Sequence, residues 1–579
     1  MQIILVFSGR MCYNKEKTGD DATMEHKQWY KDIAVYQIWP RSFCDGNGDG
    51  IGDLTGVIAK LDYIKSLGVD AIWFSPLYPS PNADYGYDIA DYRDISSDYG
   101  TLEQFKTLLD EAHKRGLKII MDLVINHTSD QHKWFQESKN PDSPYHNYYF
   151  WRRGRKGGTK EPNNWLSTFQ GKAWEFCKEN GLYYLHVFAK GQPDLNMDNP
   201  KVRQEVKDII RFWLDLGVDG FREDVITFIS KKEGLPNGFP LPTATGIEHY
   251  MNGPHLHEYL EEFRAVQEEY DCFTVGEAPM MTPERALKFI GEDGHRVLDM
   301  MFHFEHMNCD NMLTNFLRTP FRPGKLKKVY NNWQTGLYGK AWNANYIENH
   351  DQPRIISRYG SEKYRVESGK MLATMYILQS GTPFIYQGQE IGMLNANIPT
   401  IDRYKDVSSI NTYDLMKKLH VPEKFIMWII QYASRDNART PMQWSAEKNA
   451  GFTTADEPWF EVNANYPEIN VAAAEADPNS LLHYYRKLLQ FRKDNEIVRY
   501  GDFKMLKTQK EVFAYVRTYK GEQMLVVNSF SSQVQPFRAP ETFEMCEDEQ
   551  VLGNYEQCAV VHNGCLLRPY ETRVYLKKA

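Results

Sequence analysis

The sequence predicts an α/β chain: a (β/α)8, or TIM, barrel with an inserted domain after its third strand and a C-terminal antiparallel β domain. Three observations carry this. Short apolar runs alternate with amphipathic helical stretches eight times between about residue 35 and about residue 390. Two long interruptions, 128–199 and 394–480, follow the third and eighth runs. Beyond about residue 500 the texture changes to short alternating runs such as EVFAYVRTY, QMLVVNSF and ETRVYLKK, broken by Gly, Asn and Pro. A doubly wound sheet more often stops at about six strands.

In chain order the candidate strands are VYQIWP (35–40), AIWFSP (71–76), KIIMDLV (118–124), GFREDV (220–225), FTVGEA (273–278), LDMMFHFE (298–305), NYIENHD (345–351) and PFIYQG (383–388). Between them, LTGVIAKLDYIKSLG, LEQFKTLLDEAHKRG, VRQEVKDIIRFWLDLG and LHEYLEEFRAVQEEY repeat apolar residues at three- and four-residue spacing, as helices do. LLHYYRKLLQFRKDN (481–495) closes the barrel. The expected organisation is an N-terminal extension (1–24), a barrel (25–127 and 200–499, carrying the 394–480 insertion), an inserted domain (128–199) and a β domain (500–579). Insertions after strands fall at the C-terminal face, where barrel sites are built.

Composition narrows the function. With 42% apolar and 25% charged residues the chain is globular, and its net charge of -9 supplies no basic field for nucleic acid. No run is long enough to span a bilayer and no Lys/Arg block suits a membrane surface. The eight cysteines are scattered without a CxxC pair, which suits a reducing, cytoplasmic setting. MQIILVFSGRMC is too short an apolar run for a secretion signal, so the first two dozen residues are expected to be an extension or a start upstream of Met24. Thirteen Trp, 36 Tyr and 30 Phe suit stacking on sugar rings, although large aromatic cores account for them equally well.

GFREDVITFI (220–229) is a buried-strand pattern with charges in its middle. An unpaired buried charge costs several kcal/mol or more. Residues two apart share a strand face, so Arg222 and Asp224 should point the same way. Alone, such a pair is as readily structural as functional. Other strand ends carry Asp122 with Asn126 and His127, then Glu277, then His350 and Asp351. In a parallel barrel these ends converge on one mouth. Several carboxylates beside aromatics, with no Cys/His metal set, suggest glycoside chemistry, in which one carboxyl attacks or activates water and another protonates the leaving oxygen. Arg222 is expected to keep Asp224 ionised, while the apolar neighbours Val275, Gly276 and Ala278 favour a neutral, proton-donating Glu277.

DLVINHTS, QPDLNMDNP, GFREDVI, VGEA and ENHDQPR together resemble the α-amylase superfamily, glycoside hydrolase family 13, and most closely its oligo-1,6-glucosidase and α-glucosidase branch. The resemblance covers nearly the whole chain from about Trp29. It implies Asp224 as nucleophile of a retaining double displacement, Glu277 as general acid/base and Asp351 as transition-state stabiliser. It implies His127, His350 and Arg222 around the bound glucose, with Asp84 and Tyr87 of ADYGYD as hydroxyl clamp and stacking platform. Arg435 of SRDNARTPMQW would close the same subsite, lined by Phe169, Phe188 and Gln192. Glu223 departs from the branch, which often has Met there, and should face the opposite side of the strand.

DGNGDGIGDLTG sets Asp45, Asn47, Asp49, the Ile51 carbonyl and Asp53 at calcium-loop spacing, but Gly56 stands where the closing carboxylate belongs. The resemblance implies a structural Ca2+ (or Mg2+) there, and no organic cofactor. Val225 follows the nucleophile, the residue that in this branch accompanies α-1,6 preference, whereas Thr accompanies α-1,4. The implied enzyme is an exo-acting α-glucosidase releasing glucose from isomaltose and short isomalto-oligosaccharides, acting as a monomer or weak homo-oligomer. Alternatives on the same scaffold are an α-1,4-glucosidase, a sucrose-active hydrolase or isomerase, and a trehalose-6-phosphate hydrolase. FLRTPFRPGKLKKVYNNW lacks the Arg-Leu-Asp-Arg loop of sucrose isomerases, which favours hydrolysis.

Overall fold

The computed structural model describes residues 28–241, 243–293, 295–312, 315–556 and 560–579. The extension expected over 1–24 lies outside the described residues.

Eight parallel strands form a nearly closed barrel: β1 (Val35–Ile38), β2 (Ala71–Phe74), β3 (Lys118–Leu123), β4 (Gly220–Glu223), β5 (Phe273–Glu277), β6 (Met300–Phe302), β7 (Ala344–Asn345) and β8 (Thr382–Tyr386). Their order is β7-β8-β1-β2-β3-β4-β5-β6, with every hydrogen-bonded neighbour parallel. Side chains of alternate strands fill such a barrel in layers. Here Trp73 of β2, Phe302 of β6 and Phe384 of β8 form one layer, with ring centres 5.6 Å (Trp73–Phe302) and 4.6 Å (Phe302–Phe384) apart. Arg222 of β4 takes the fourth place, its guanidinium 5.2 Å from the Trp73 ring centre. A charge thus stands where a core residue is expected, on the floor of the mouth.

Local sequence sets the helix ends. Asp53 caps Leu54–Ala59 by accepting from Gly56 N, and Thr101 with Gln104 forms a capping box on Leu102–Lys114. Asn199, Pro200 and the left-handed Gly217 bound Pro200–Leu216. LTGVIAKLDYIKSLG forms two short helices joined at Lys60 rather than one. Gly276 is required by close packing: a Cβ there would lie 2.7 Å from Leu298 and 2.9 Å from Ile226.

The seventh strand departs from its pattern. Only Ala344 and Asn345 pair, so His350 and Asp351 stand in the loop beyond rather than at the strand end. The polar groups of that loop bind side chains: Glu348 accepts from Arg354 at 2.6 Å, and Gln37 Nε2 reaches His350 Nδ1 at 2.7 Å.

After β3 the chain makes a three-stranded antiparallel sheet, Trp151–Arg152, Leu182–Leu185 and Trp174–Cys177. After β8 it makes the helices Val407–Lys418 and Glu423–Ala433 before returning to the barrel. A five-stranded antiparallel sheet, with a separate two-stranded one, occupies the C-terminal region. Among the described residues no helix is long and apolar enough to cross a membrane.

Candidate active site

Arg222 organises the centre of the mouth. Its Nη1 donates to Asp122 Oδ1 at 2.8 Å and to Asp224 Oδ1 at 2.5 Å, while Nη2 donates to Glu277 Oε2. β3, β4 and β5 deliver these groups side by side, because Asp122 pairs with Arg222 and Arg222 with Val275 in register. Asp224 is the first residue beyond β4, and Glu277 the last of β5. All four side chains are buried. Three carboxyls thus share one guanidinium.

Two sequence expectations need correction here. Glu277 does not sit in an apolar setting: Gly276 and Ala278 alternate to the other strand face, and its carboxyl meets Arg222, with Val225 N 3.4 Å away. Arg222 does not simply keep Asp224 ionised either. Burial raises Asp224 well above the usual carboxylate range, and Glu277 and Asp122 add to that against the pull of Arg222. Burial likewise lifts Asp122 to about 6. Three carboxyls against one guanidinium favour retention of a proton within the cluster.

Asp351 is governed oppositely. Against the cost of burial, His350, Arg435 and Arg439 hold it well below the usual range. Arg435 Nη1 lies 3.1 Å and Arg439 Nη2 3.0 Å from Asp351 Oδ1, and His350 Nε2 lies 3.1 Å from Oδ2. The two sets of acids therefore sit in contrasting electrostatic surroundings, as acid/base chemistry at one mouth requires.

The other residues singled out from the sequence line the same mouth. His350 is sandwiched between Trp39 and Tyr87, both with ring centres 5.3 Å from its own. Tyr87 donates to Asp122 Oδ2 at 3.0 Å and contacts His350 Nε2 at 2.8 Å. His127 donates from Nε2 to the Tyr87 carbonyl at 3.0 Å, and Asn126 reaches its Nδ1 at 3.1 Å. Burial lowers both histidines to about 4, so both are neutral at pH 7. Gln192 donates to the Tyr87 carbonyl at 3.2 Å and stands 3.4 Å from Asp84, which pairs with Arg435 at 3.2 Å. From the inserted segment, Phe188 packs 5.2 Å from His127, and Phe169 lies 5.6 Å from Phe188 with Arg435 5.1 Å from its ring centre. Phe169, Asp351 and Arg435 are the partly open members, so they mark the rim.

Val225 adopts a left-handed backbone, φ 36° and ψ 41°, which is an outlier for a β-branched residue. That turn aims its N–H toward Glu277 and packs its side chain in one apolar cluster with Phe188 and Phe228.

Sequence reasoning missed three participants. Arg439 binds Asp351, donates to the His350 carbonyl at 3.1 Å and lies 4.6 Å from the Trp39 ring centre. Its signal was present: it follows Arg435 by four residues on the quoted SRDNARTPMQW stretch. Asp406 accepts from Arg435 Nε at 2.8 Å and Nη2 at 2.7 Å, yet in sequence it is only a helix cap. Lys231 is fully buried against Asp194 (2.7 Å) and Asn126 (2.8 Å), tying the inserted segment to the loop after β4.

The DGNGDGIGDLTG loop lies after β1. Asp45 Oδ1 and Asp53 Oδ2 both accept from Asn47 N at 3.0 Å, so two carboxylates converge. Asp45 also accepts from Gly48 N, Gly50 N and the Thr453 hydroxyl. Among the described residues no three His, Cys, Asp or Glu side chains form a metal-holding group. The donors in question include an amide and a backbone carbonyl, and all are hard oxygens, which suits Ca2+ or Mg2+.

Residues 37–501 match the family model of the α-amylase catalytic domain, and residues 512–574 that of the α-amylase SusG C-terminal domain. The chain is 51% identical to an oligo-1,6-glucosidase of Parageobacillus thermoglucosidasius, with 94% of this chain and 98% of that protein covered. Among solved structures, a trehalose-6-phosphate hydrolase of Bacillus licheniformis superposes with a TM-score of 0.89 at 42% identity, covering 95% of this chain and 99% of that one. An isomaltulose synthase from Klebsiella sp. LX3 superposes with a TM-score of 0.91 at 40% identity, again covering 95% and 99%.

Proposed function

The chain belongs to the α-amylase family of glycoside hydrolases, and on that premise we propose that it is an exo-acting, retaining α-glucosidase that hydrolyses the α-1,6 bonds of isomaltose and short isomalto-oligosaccharides. The observation that carries this reading is the sharing of Arg222 by Asp224 and Glu277. Two carboxyls on one guanidinium face one pocket, as the nucleophile and the acid/base of a glycoside hydrolase must.

In the proposed reaction Glu277 is the general acid and gives a proton to the glycosidic oxygen as that bond to C1 breaks. Ionised Asp224 attacks C1 and forms a glucosyl ester. Glu277 then removes a proton from water, which attacks C1, releases glucose with its α configuration and frees Asp224. Ionised Asp351, fixed by Arg435 and Arg439, binds substrate hydroxyls and favours the distorted ring. His127, His350, Tyr87, Asp84, Phe169, Phe188 and Gln192 shape the glucose subsite, and Arg435 with Asp84 closes it beyond the non-reducing end, which makes the action exo.

Val225 supports the α-1,6 assignment, since it lines the site with an apolar wall continuous with Phe188 and Phe228. A structural cation held by Asp45, Asn47, Asp49, the Ile51 carbonyl and Asp53 completes the reading. So do a cytoplasmic location and a monomer or weak homo-oligomer.

The test is glucose release by the purified protein from isomaltose, maltose, sucrose and trehalose 6-phosphate side by side, with Asp224→Ala as control. Isomaltose is expected to lead and the variant to be inactive. Preference for another substrate would overturn the linkage assignment, and activity surviving in the variant would overturn the mechanism.

A further inference from the structure

Glu223 lies next to the proposed nucleophile but on the other side of its strand. Its carboxyl leaves the barrel and is 1% exposed beneath the helix Leu256–Gln267. Gln267, equally buried, donates from Nε2 to Glu223 Oε1 at 2.8 Å. The second oxygens of both groups, Glu223 Oε2 and Gln267 Oε1, are buried without a hydrogen-bond partner. Two acceptors orphaned on one hydrogen-bonded pair lack a single thing, which is a proton between them.

Among the described residues no salt bridge reaches Glu223: Arg264 acts on it through space, and the Nη1 of that guanidinium is buried without a hydrogen-bond partner. From the same helix, Arg264 is engaged by Glu268 at 2.9 Å and by Asp299 at 3.4 Å. Asp299, ahead of β6, also accepts from Thr274 N at 2.9 Å and faces Arg296 at 3.5 Å, and its charge repels a carboxylate at Glu223. Cys272, ahead of β5, donates to the Phe273 carbonyl. A buried carboxylate with one amide donor and no salt bridge is disfavoured.

We infer that Glu223 is a neutral carboxylic acid that donates from Oε2 to Gln267 Oε1 while accepting from Gln267 Nε2, and that this two-bond ring is a positioning device for Asp224 at the end of β4. Each orphaned atom then gains a partner. Burial raises Glu223 from 4.5 to about 7 in the same direction, Gln267 and Arg264 opposing it and Asp299 adding to it. Above that pH the acid ionises, Gln267 Oε1 loses its donor, and the anchor of the strand end is released. The positioning half rests on Asp224 as nucleophile; the protonated pair does not.

Glu223→Gln tests both halves, because an amide can make the same two bonds without ionising. At Glu223 the folded state keeps a proton that the unfolded state has lost between about pH 4.5 and 7, so this group's contribution to wild-type stability falls over that window as pH rises. The Tm of Glu223→Gln relative to wild type is expected to climb through that window and level off above it. The buried protonated carboxyl absorption in the infrared spectrum at pH 5.5 should be weaker in the variant than in the wild type by one group, the other buried acids contributing equally to both. The ratio of variant to wild-type kcat on isomaltose is expected to rise as pH passes 7, since the ionisations of the shared cluster cancel in that ratio. Parallel Tm profiles, or an unchanged carboxyl band, would overturn the neutral acid. A kcat ratio independent of pH would overturn the positioning role. The first two readouts need no substrate, so their failure is separate from any failure of the α-glucosidase reading.

Discussion

Arg222 Nη1 sits 2.5 Å from Asp224 Oδ1, and the same guanidinium reaches Asp122 on one neighbouring strand and Glu277 on the other. A residue in the packed layer of the barrel floor is thereby also the counter-ion of the site. Lysine cannot serve three carboxyls in this way, because its ammonium is a point donor without the planar fork. Arg222→Lys is expected to lower kcat on isomaltose by about 10²–10³-fold, the scale of losing one fixed electrostatic donor. Far-ultraviolet circular dichroism should stay unchanged, and a kcat within the scatter of wild type would remove Arg222 from the mechanism.

The buried histidines make stability fall in mild acid. His127 and His350 are lowered from 6.5 to about 4 by burial, so below pH 6.5 the unfolded chain takes up protons that the folded one refuses. Stability from each is complete above about pH 6.5 and is lost as pH falls toward 4, on the order of 3 kcal/mol apiece. Urea denaturation of wild type and His127→Gln from pH 4 to 7 checks this. The gap between the two is expected to widen up to pH 6.5 and then stay constant; a gap independent of pH would contradict it.

How much of this was legible in the sequence differs from residue to residue. Strand alternation located β1 to β6 and β8, because parallel strands buried on both faces leave continuous apolar runs. β7 was overestimated, since NYIENHD carries a strand-like apolar start but spends Glu348 and His350 on side-chain partners instead of a ladder. Asp224, Glu277 and Asp351 were visible as charges at the ends of apolar runs. The surroundings of Glu277 were not, because its partner Arg222 lies 55 residues away and arrives through strand register. Asp406 was invisible for the same reason: 29 residues separate it from Arg435, and only the fold closes that gap.

Asp406 should matter for binding more than for folding. It holds Arg435 by two nitrogens, and Arg435 in turn contacts Asp351 and Asp84. Asp406→Ala frees that guanidinium and removes a helix cap worth about 1 kcal/mol. KM for isomaltose is expected to rise by at least about tenfold with a smaller change in kcat, the mark of lost binding common to ground and transition states. Equal loss in kcat and kcat/KM would place Asp406 in the chemical step instead.

The loop after β1 makes a prediction about metal. If Ca2+ bridges the converging Asp45 and Asp53, adding it to chelator-treated protein at about 100 times its Kd should stabilise the fold by about 2.7 kcal/mol. Tm should rise with Ca2+ and the rise should vanish in Asp49→Ala. A Tm indifferent to chelator and Ca2+ alike would show that the backbone N–H groups already satisfying Asp45 and Asp53 are sufficient.

The central claim is that Asp224 carries the glucosyl group through a covalent intermediate. The most direct measurement uses Glu277→Gln, which lacks the base that activates water, incubated with α-glucosyl fluoride, a substrate whose leaving group needs no protonation. Acid quench, digestion and mass spectrometry should then find one hexosyl unit on the peptide containing GFREDVITFI, localised to Asp224. An unmodified peptide despite turnover, or a hexosyl group on any other residue, would contradict the account.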